Sequence, residues 1–144
     1  MDRFLKEAIA EARQGLAEGG IPIGSVLVID GEIVGRGTTA HPETAVRSCT
    51  PNDCLETPPS RCVGLSAATL YSTLSPCDMC SGAALLYKIP RIVVGENVNF
   101  RGPEDYVTGR GVELIVANDP ECVEMMARFI ATRPALWNED IGEP

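Results

Sequence analysis

Cys77 and Cys80 stand three residues apart in Ser75-Pro76-Cys77-Asp78-Met79-Cys80, ahead of an apolar run that ends near Tyr87. On a helix, that spacing puts both thiols on one face, one turn apart, where they can share a metal ion. Pro76 suits a helix N-terminus, where its missing N–H costs nothing. The helix dipole lowers nearby thiol pKa values and so favours the thiolates that zinc requires. Redox sites and chance share a bare C-x-x-C, so the pair by itself leaves a non-metal role open.

The elements that must position these thiols follow from periodicity and turn chemistry. Residues 2–17 carry Phe4, Leu5, Ala8, Ile9, Ala12 and Leu16 on one helical face, with Asp2 as cap and Gly19-Gly20 as stop. Residues 23–29 read as a buried strand, Asp30-Gly31 as a two-residue hairpin turn, and residues 32–35 as the returning strand. Residues 69–74 form a third strand, 77–87 the thiol helix, 91–95 a fourth strand, 103–107 a short helix and 112–117 a fifth strand. After Asn118-Asp119-Pro120 a last helix buries Cys122, Met125, Met126, Phe129 and Ile130. Strand–helix alternation after Thr69 predicts parallel pairing with helices on both faces. The expected fold is α/β, a three-layer α/β/α sandwich on a five-stranded mixed sheet, as one domain over residues 1–144.

Composition narrows the chemistry. Hydrophobic content of 44% and charged content of 22% are ordinary for a soluble globular domain. No apolar run approaches the roughly 18 residues of a membrane span, and the N-terminus reads as an amphipathic helix rather than a signal peptide. Six cysteines, two of them in a candidate metal pair, fit a reducing cytoplasm better than a disulfide scaffold. A net charge of -8 opposes binding to a polyanion, so nucleic acid is not the expected partner. A small neutral substrate suits the chain better.

Residues 38–64 break the pattern. They hold Pro42, Pro51, Pro58 and Pro59, with Cys49, Cys54 and Cys62, and follow neither a period of two nor one of 3.6. So long a structureless stretch is uncommon inside a compact domain. An irregular segment is expected here, either functional or altered at the level of sequence.

Outside that segment the chain resembles the cytosine deaminase branch of the cytidine deaminase-like superfamily, close to the fungal-type enzymes. The resemblance rests on Gly19-Gly20-Ile21-Pro22-Ile23-Gly24, Gly35-Arg36-Gly37 and the run from Thr69-Leu70-Tyr71 to Cys80. It continues through Ile89-Pro90-Arg91, Val94-Gly95-Glu96-Asn97 and the tail Trp137-Asn138-Glu139-Asp140-Ile141-Gly142-Glu143. It implies a Zn2+-dependent hydrolytic deamination of cytosine to uracil and ammonia in pyrimidine salvage, by a cytoplasmic homodimer. It further implies that Cys77 and Cys80 ligate the metal and that Ser75 contacts the amino group through its backbone carbonyl. Asp140 would pair with the base's polar edge, while Phe100 and Trp137 close over its face. Plain core packing for the two aromatics and solvated charge for Asp140 remain open.

The resemblance fails at the third ligand. Family members place H-N directly after G-R-G and H-A-E or H-G-E further on, the histidine binding zinc and the glutamate shuttling protons. Here Thr38-Thr39-Ala40 follows Gly37, so Thr39 replaces the substrate-contacting asparagine, and Cys49-Thr50-Pro51 occupies the H-A-E position. Cys49 could be the third ligand, since some relatives use three cysteines, or an idle loop thiol; Pro51 cannot move protons. His41-Pro42-Glu43 is literally H-x-E, which would make His41 a ligand and Glu43 the shuttle, although it follows Gly37 too closely for this branch. Cys54, Cys62 and Cys122 read as ordinary thiols.

Codons offer a further reading. Bases encoding residues 38–52, read one nucleotide earlier, permit H-N-R, four variable residues, then G-S-A-I-L-H-A-E, the family's string after G-R-G. A frameshifted segment is therefore expected, with the family's helix resembled again by Asp53-Cys54-Leu55-Glu56. Two functions stand: a cytosine deaminase, or a catalytically impaired zinc-binding member of the same fold. The thiol motif alone does not separate cytosine from another nucleobase or a tRNA adenosine; the tail and the acidic balance favour cytosine.

Overall fold

The computed structural model describes residues 2–38 and 67–143. Helix α1 spans Arg3–Ala17, its first turn closed by the Asp2 carboxylate, which accepts the Phe4 N–H at 2.9 Å. Leu5, Ala8, Ile9 and Ala12 are buried as their spacing predicts, whereas Leu16 is 41% exposed. Leu16 borders a groove beside Met125 and Phe129 instead of the core, because α1 runs on past Gly24, the start of the first strand, which already lies against Ala8 and Ala12.

Strands β1 (Gly24–Ile29) and β2 (Glu32–Thr38) form the hairpin. Asp30 and Gly31 both have positive φ, 52° and 77°, as the tight turn demands. β2 runs past its predicted end at Gly35. Its pairing shifts between Leu27 and Val28, leaving Val34 as an extra residue, and then continues to Gly24 opposite Thr38. Glycines at 35 and 37 hid this extension, since they carry no strand signal. Thr38, expected in the irregular segment, is thus a strand residue whose Oγ1 donates to the Glu11 carbonyl at 2.8 Å. The rest of that segment lies outside the described residues.

The chain then gives β3 (Thr69–Leu74), α2 (Asp78–Leu86), β4 (Arg91–Glu96), α3 (Glu104–Gly109), β5 (Glu113–Val116), α4 (Pro120–Thr132) and α5 (Pro134–Asp140). Strand order is β2-β1-β3-β4-β5, with β1 antiparallel to both neighbours and β3, β4 and β5 parallel. The separate helix α5 was not legible as such. Pro134 disfavours helical geometry at Arg133, which sits at φ -136°, ψ 59°, and so ends α4 while starting α5.

Strand alternation builds the layers. Leu27, Leu70, Ile92 and Val94 face one side, against Ala84 of α2 and Val107 of α3. Val26, Val28, Tyr71 and Val93 face the other, against Leu5, Ala8 and Ile9 of α1 and Cys122 of α4. A third cluster, Ile21, Leu74, Met126, Phe129 and Trp137, packs where β3 ends. The α/β/α sandwich on a mixed five-stranded sheet is as expected. Gly95 lies against α4: a β-carbon there would lie 2.7 Å from Cys122 Sγ and 2.6 Å from the Thr73 carbonyl oxygen.

Candidate active site

Parallel strands leave their carboxyl ends on one edge of the sheet, and open α/β folds gather ligands there. β3 and β4 end together, Leu74 opposite Glu96, and both following loops meet at this edge. From Leu74 the chain passes through Ser75-Pro76 to Cys77, which is the N-cap of α2 with φ -68° and ψ 179°. The helix therefore starts at Asp78, and Pro76 lies outside it. Its role is to steer Ser75 away from helical geometry and not to occupy the first helical position.

Cys77 is half-buried and Cys80 buried, with their sulfurs 3.6 Å apart. Two thiolates on one tetrahedral zinc, each at about 2.3 Å, would be separated by about 3.8 Å. A disulfide would bring them to about 2.05 Å. The pair thus fits the metal and not the bridge. Among the described residues no third histidine, cysteine or carboxylate completes a metal-binding group. Cys49, His41 and Glu43, the sequence candidates for that position and for the proton shuttle, lie outside the described residues.

Ser75 is buried and held from three directions. Its N–H donates to the Glu96 carbonyl at 3.0 Å, its hydroxyl donates to Glu104 Oε1 at 2.8 Å, and it accepts the Gly102 N–H at 3.0 Å. Glu104 in turn accepts from Arg101 Nε at 3.0 Å and from Asn97 Nδ2 at 3.2 Å. Burial pushes the Glu104 carboxyl up, yet the hydrogen bonds from Ser75, Arg101 and Asn97 outweigh it and hold the group below the ordinary carboxylate value. Sequence reasoning missed this network. A glutamate in the first turn of a short helix reads as a surface charge favoured by the dipole, so only Gly102-Pro103 hinted at a close approach.

Glu96 organises the neighbouring loop. It is fully buried, and its carboxylate accepts the Val98 N–H at 2.6 Å, the Asn99 N–H at 3.0 Å and Asn99 Nδ2 at 2.9 Å. The turn so formed delivers Phe100 to Trp137, ring centroids 5.9 Å apart and planes at 87°. Edge-to-face packing of this kind adds about 0.5–1.5 kcal/mol beyond area burial. Both rings belong to the cluster that seals Leu74, next to Ser75.

On α5, Asp140 is half-buried rather than a freely solvated tail charge. Burial pushes its carboxyl up to about 6, and the charges of Cys77 and Glu139 add to the shift. Asp140 is thus near enough to Cys77 for their charges to interact. Cys122, by contrast, is an inert core thiol, pushed up to about 12 by burial and then by Asp119.

Residues 1–96 match the zinc-binding region of cytidine and deoxycytidylate deaminases. The chain belongs to that family. Zinc is the metal of that region. The cytosine deaminase of Candida albicans is 43% identical, over 96% of this chain and 95% of that one. A tRNA-specific adenosine deaminase of Bacillus subtilis is 42% identical, over 64% of this chain and 59% of its own. Among solved structures, the diaminohydroxyphosphoribosylaminopyrimidine deaminase/reductase of Thermotoga maritima superposes with a TM-score of 0.65 at 23% identity. The superposition covers 90% of this chain and 41% of that one, and shows the shared fold.

Proposed function

We propose that this deaminase acts on free cytosine, consuming one water at C4 and releasing ammonia to leave uracil. The observation that carries the reading is the likeness to the Candida albicans cytosine deaminase over nearly the whole of both chains. The tRNA-specific relative from Bacillus subtilis matches 64% of this chain, and a net charge of -8 opposes a polyanionic substrate.

Cys77 and Cys80 would hold the zinc, which when bound lowers the pKa of water enough to make it nucleophilic at neutral pH. The carbonyl of Ser75, fixed by its own N–H and hydroxyl, accepts a hydrogen bond from the exocyclic amine that will leave. Asp140 meets the polar edge of the base, where a half-buried carboxyl makes strong charge-assisted hydrogen bonds. Phe100 and Trp137 close over the ring and exclude solvent.

A proton must reach N3 and the departing amine, and this needs a carboxyl group in residues 38–52. Read one nucleotide earlier, their codons permit His at the junction of the Cys49 and Thr50 codons, then Ala and Glu, supplying ligand and shuttle together. The chain as written is then a catalytically impaired zinc binder unless His41 and Glu43 substitute. Homodimerisation, a cytoplasmic location and a role in pyrimidine salvage belong to the same proposal. No helix among the described residues is long and apolar enough to cross a membrane.

The test compares the chain as written with one in which residues 38–52 are replaced by the shifted-frame peptide. Cytosine loss is followed by ultraviolet absorbance. The replacement should raise turnover by at least the roughly 10²–10⁴-fold of a general acid–base group. Comparable turnover by the chain as written would assign the roles to His41 and Glu43. A replaced chain that binds zinc yet leaves cytosine untouched would refute the substrate.

A further inference from the structure

We propose that Glu104 is a positioning residue for the metal pair, acting through Ser75. It clamps the Ser75-Pro76 turn to the loop after β4 and so fixes Cys77 against Cys80. The inference rests on the reading of those two thiols as zinc ligands.

The covalent link from the sheet to Cys77 is two residues long, so any slack at Ser75 moves the first sulfur. Ser75 Oγ has one hydrogen and gives it to Glu104 at 2.8 Å, while it accepts the Gly102 N–H at 3.0 Å. Beyond it, the Pro76 carbonyl accepts from Ser81 Oγ at 3.3 Å, and the Cys77 carbonyl from the Ser81 N–H at 2.9 Å. The turn is thus tied to the sheet, to α2 and to the opposite loop.

Among the described residues every partner of the Glu104 carboxylate is a donor: the Ser75 hydroxyl, Asn97 Nδ2 and Arg101 Nε. A group with two bare oxygens accepts from all three with Ser75 donating. An amide in its place would turn an NH₂ toward one of them, and facing Ser75 it would leave the hydroxyl hydrogen without its acceptor. Stability alone does not call for this arrangement, since apolar packing often replaces a buried ionic group at little cost. What the carboxylate adds is direction, at the sheet edge where the metal site lies. Groups that orient a metal ligand from behind typically change metal affinity by about 10–100-fold when removed.

Two readouts test this on Glu104→Gln, with Ser75→Ala as the variant that removes the same bond through a hydroxyl alone. The first is titration with Co2+, read by the thiolate charge-transfer band. Each variant should bind about 10–100-fold more weakly than the parent, and the double variant no more weakly than the worse single one. The second is amide exchange in the metal-free protein. Protection at Ser75 and Gly102 should fall on the order of tenfold, as expected for a lost hydrogen bond to a charged group, while α1 stays protected. Local protection unchanged in both variants would overturn the clamp whether or not metal binds. Lowered protection with no thiolate band even in the parent would refute the zinc reading and leave the clamp standing. Equal Co2+ affinities beside a parent that does show the band would overturn the positioning role.

Discussion

Gly102 lies so close to Pro76 that a β-carbon on it would stand 1.8 Å from the proline's carbonyl oxygen. The obstacle is backbone, which cannot rotate away, so the two loops at the carboxyl edge are in register only with glycine here. Gly102→Ala must push α3 and its loop away from the Ser75-Pro76 turn. A loss of about 1–3 kcal/mol is expected from this overpacking, measured by urea denaturation, together with weaker zinc binding in a chelator competition. Unchanged stability would mean that the loops are not held at this separation.

Acid should weaken the same contact. Glu104 has a folded pKa below its ordinary 4.5, so the unfolded chain binds the proton more readily. Its contribution is complete above pH 4.5 and is lost as the pH falls through the folded value. Urea midpoints measured from pH 6 downward should drop less steeply in Glu104→Gln than in the parent. Parallel curves would remove Glu104 from the acid response.

Asp140 should show the opposite sign. Its folded pKa, raised from 3.8 to about 6 by burial and then by Cys77 and Glu139, means that the native state holds the proton longer. Its stabilising contribution is present below pH 3.8 and is lost as the pH rises through about 6. Metal-free Asp140→Asn should therefore be more stable than the parent at pH 7 and bind cytosine more weakly, a trade of function for stability. Isothermal calorimetry and thermal melts read both effects, and a variant less stable at pH 7 would contradict the argument.

The scaffold was legible in the sequence because its signals are local. Asp30-Gly31 dictates a turn by backbone sterics, Phe4, Leu5, Ala8 and Ile9 repeat with the helical period, and Asn118-Asp119-Pro120 marks where α4 begins. Cys77 and Cys80 were legible for the same reason, a spacing within one turn. What escaped was set by distant partners. Glu104 gains its role from Ser75, 29 positions away in the chain. Gly95 and Gly102 are explained by backbone or thiol atoms that the linear order does not reveal. Helix α5 was hidden by its shortness, and Leu16 by its place in the last turn, where helical periodicity continues but the sheet beneath does not.

The account rests on zinc held by Cys77 and Cys80, and X-ray absorption at the zinc edge of the loaded protein measures this directly. Two sulfurs at about 2.3 Å with lighter atoms completing the shell are expected, or three sulfurs if Cys49 joins them, and Cys77→Ala should lower the count by one. A shell without sulfur, or one unchanged by Cys77→Ala, would contradict the account.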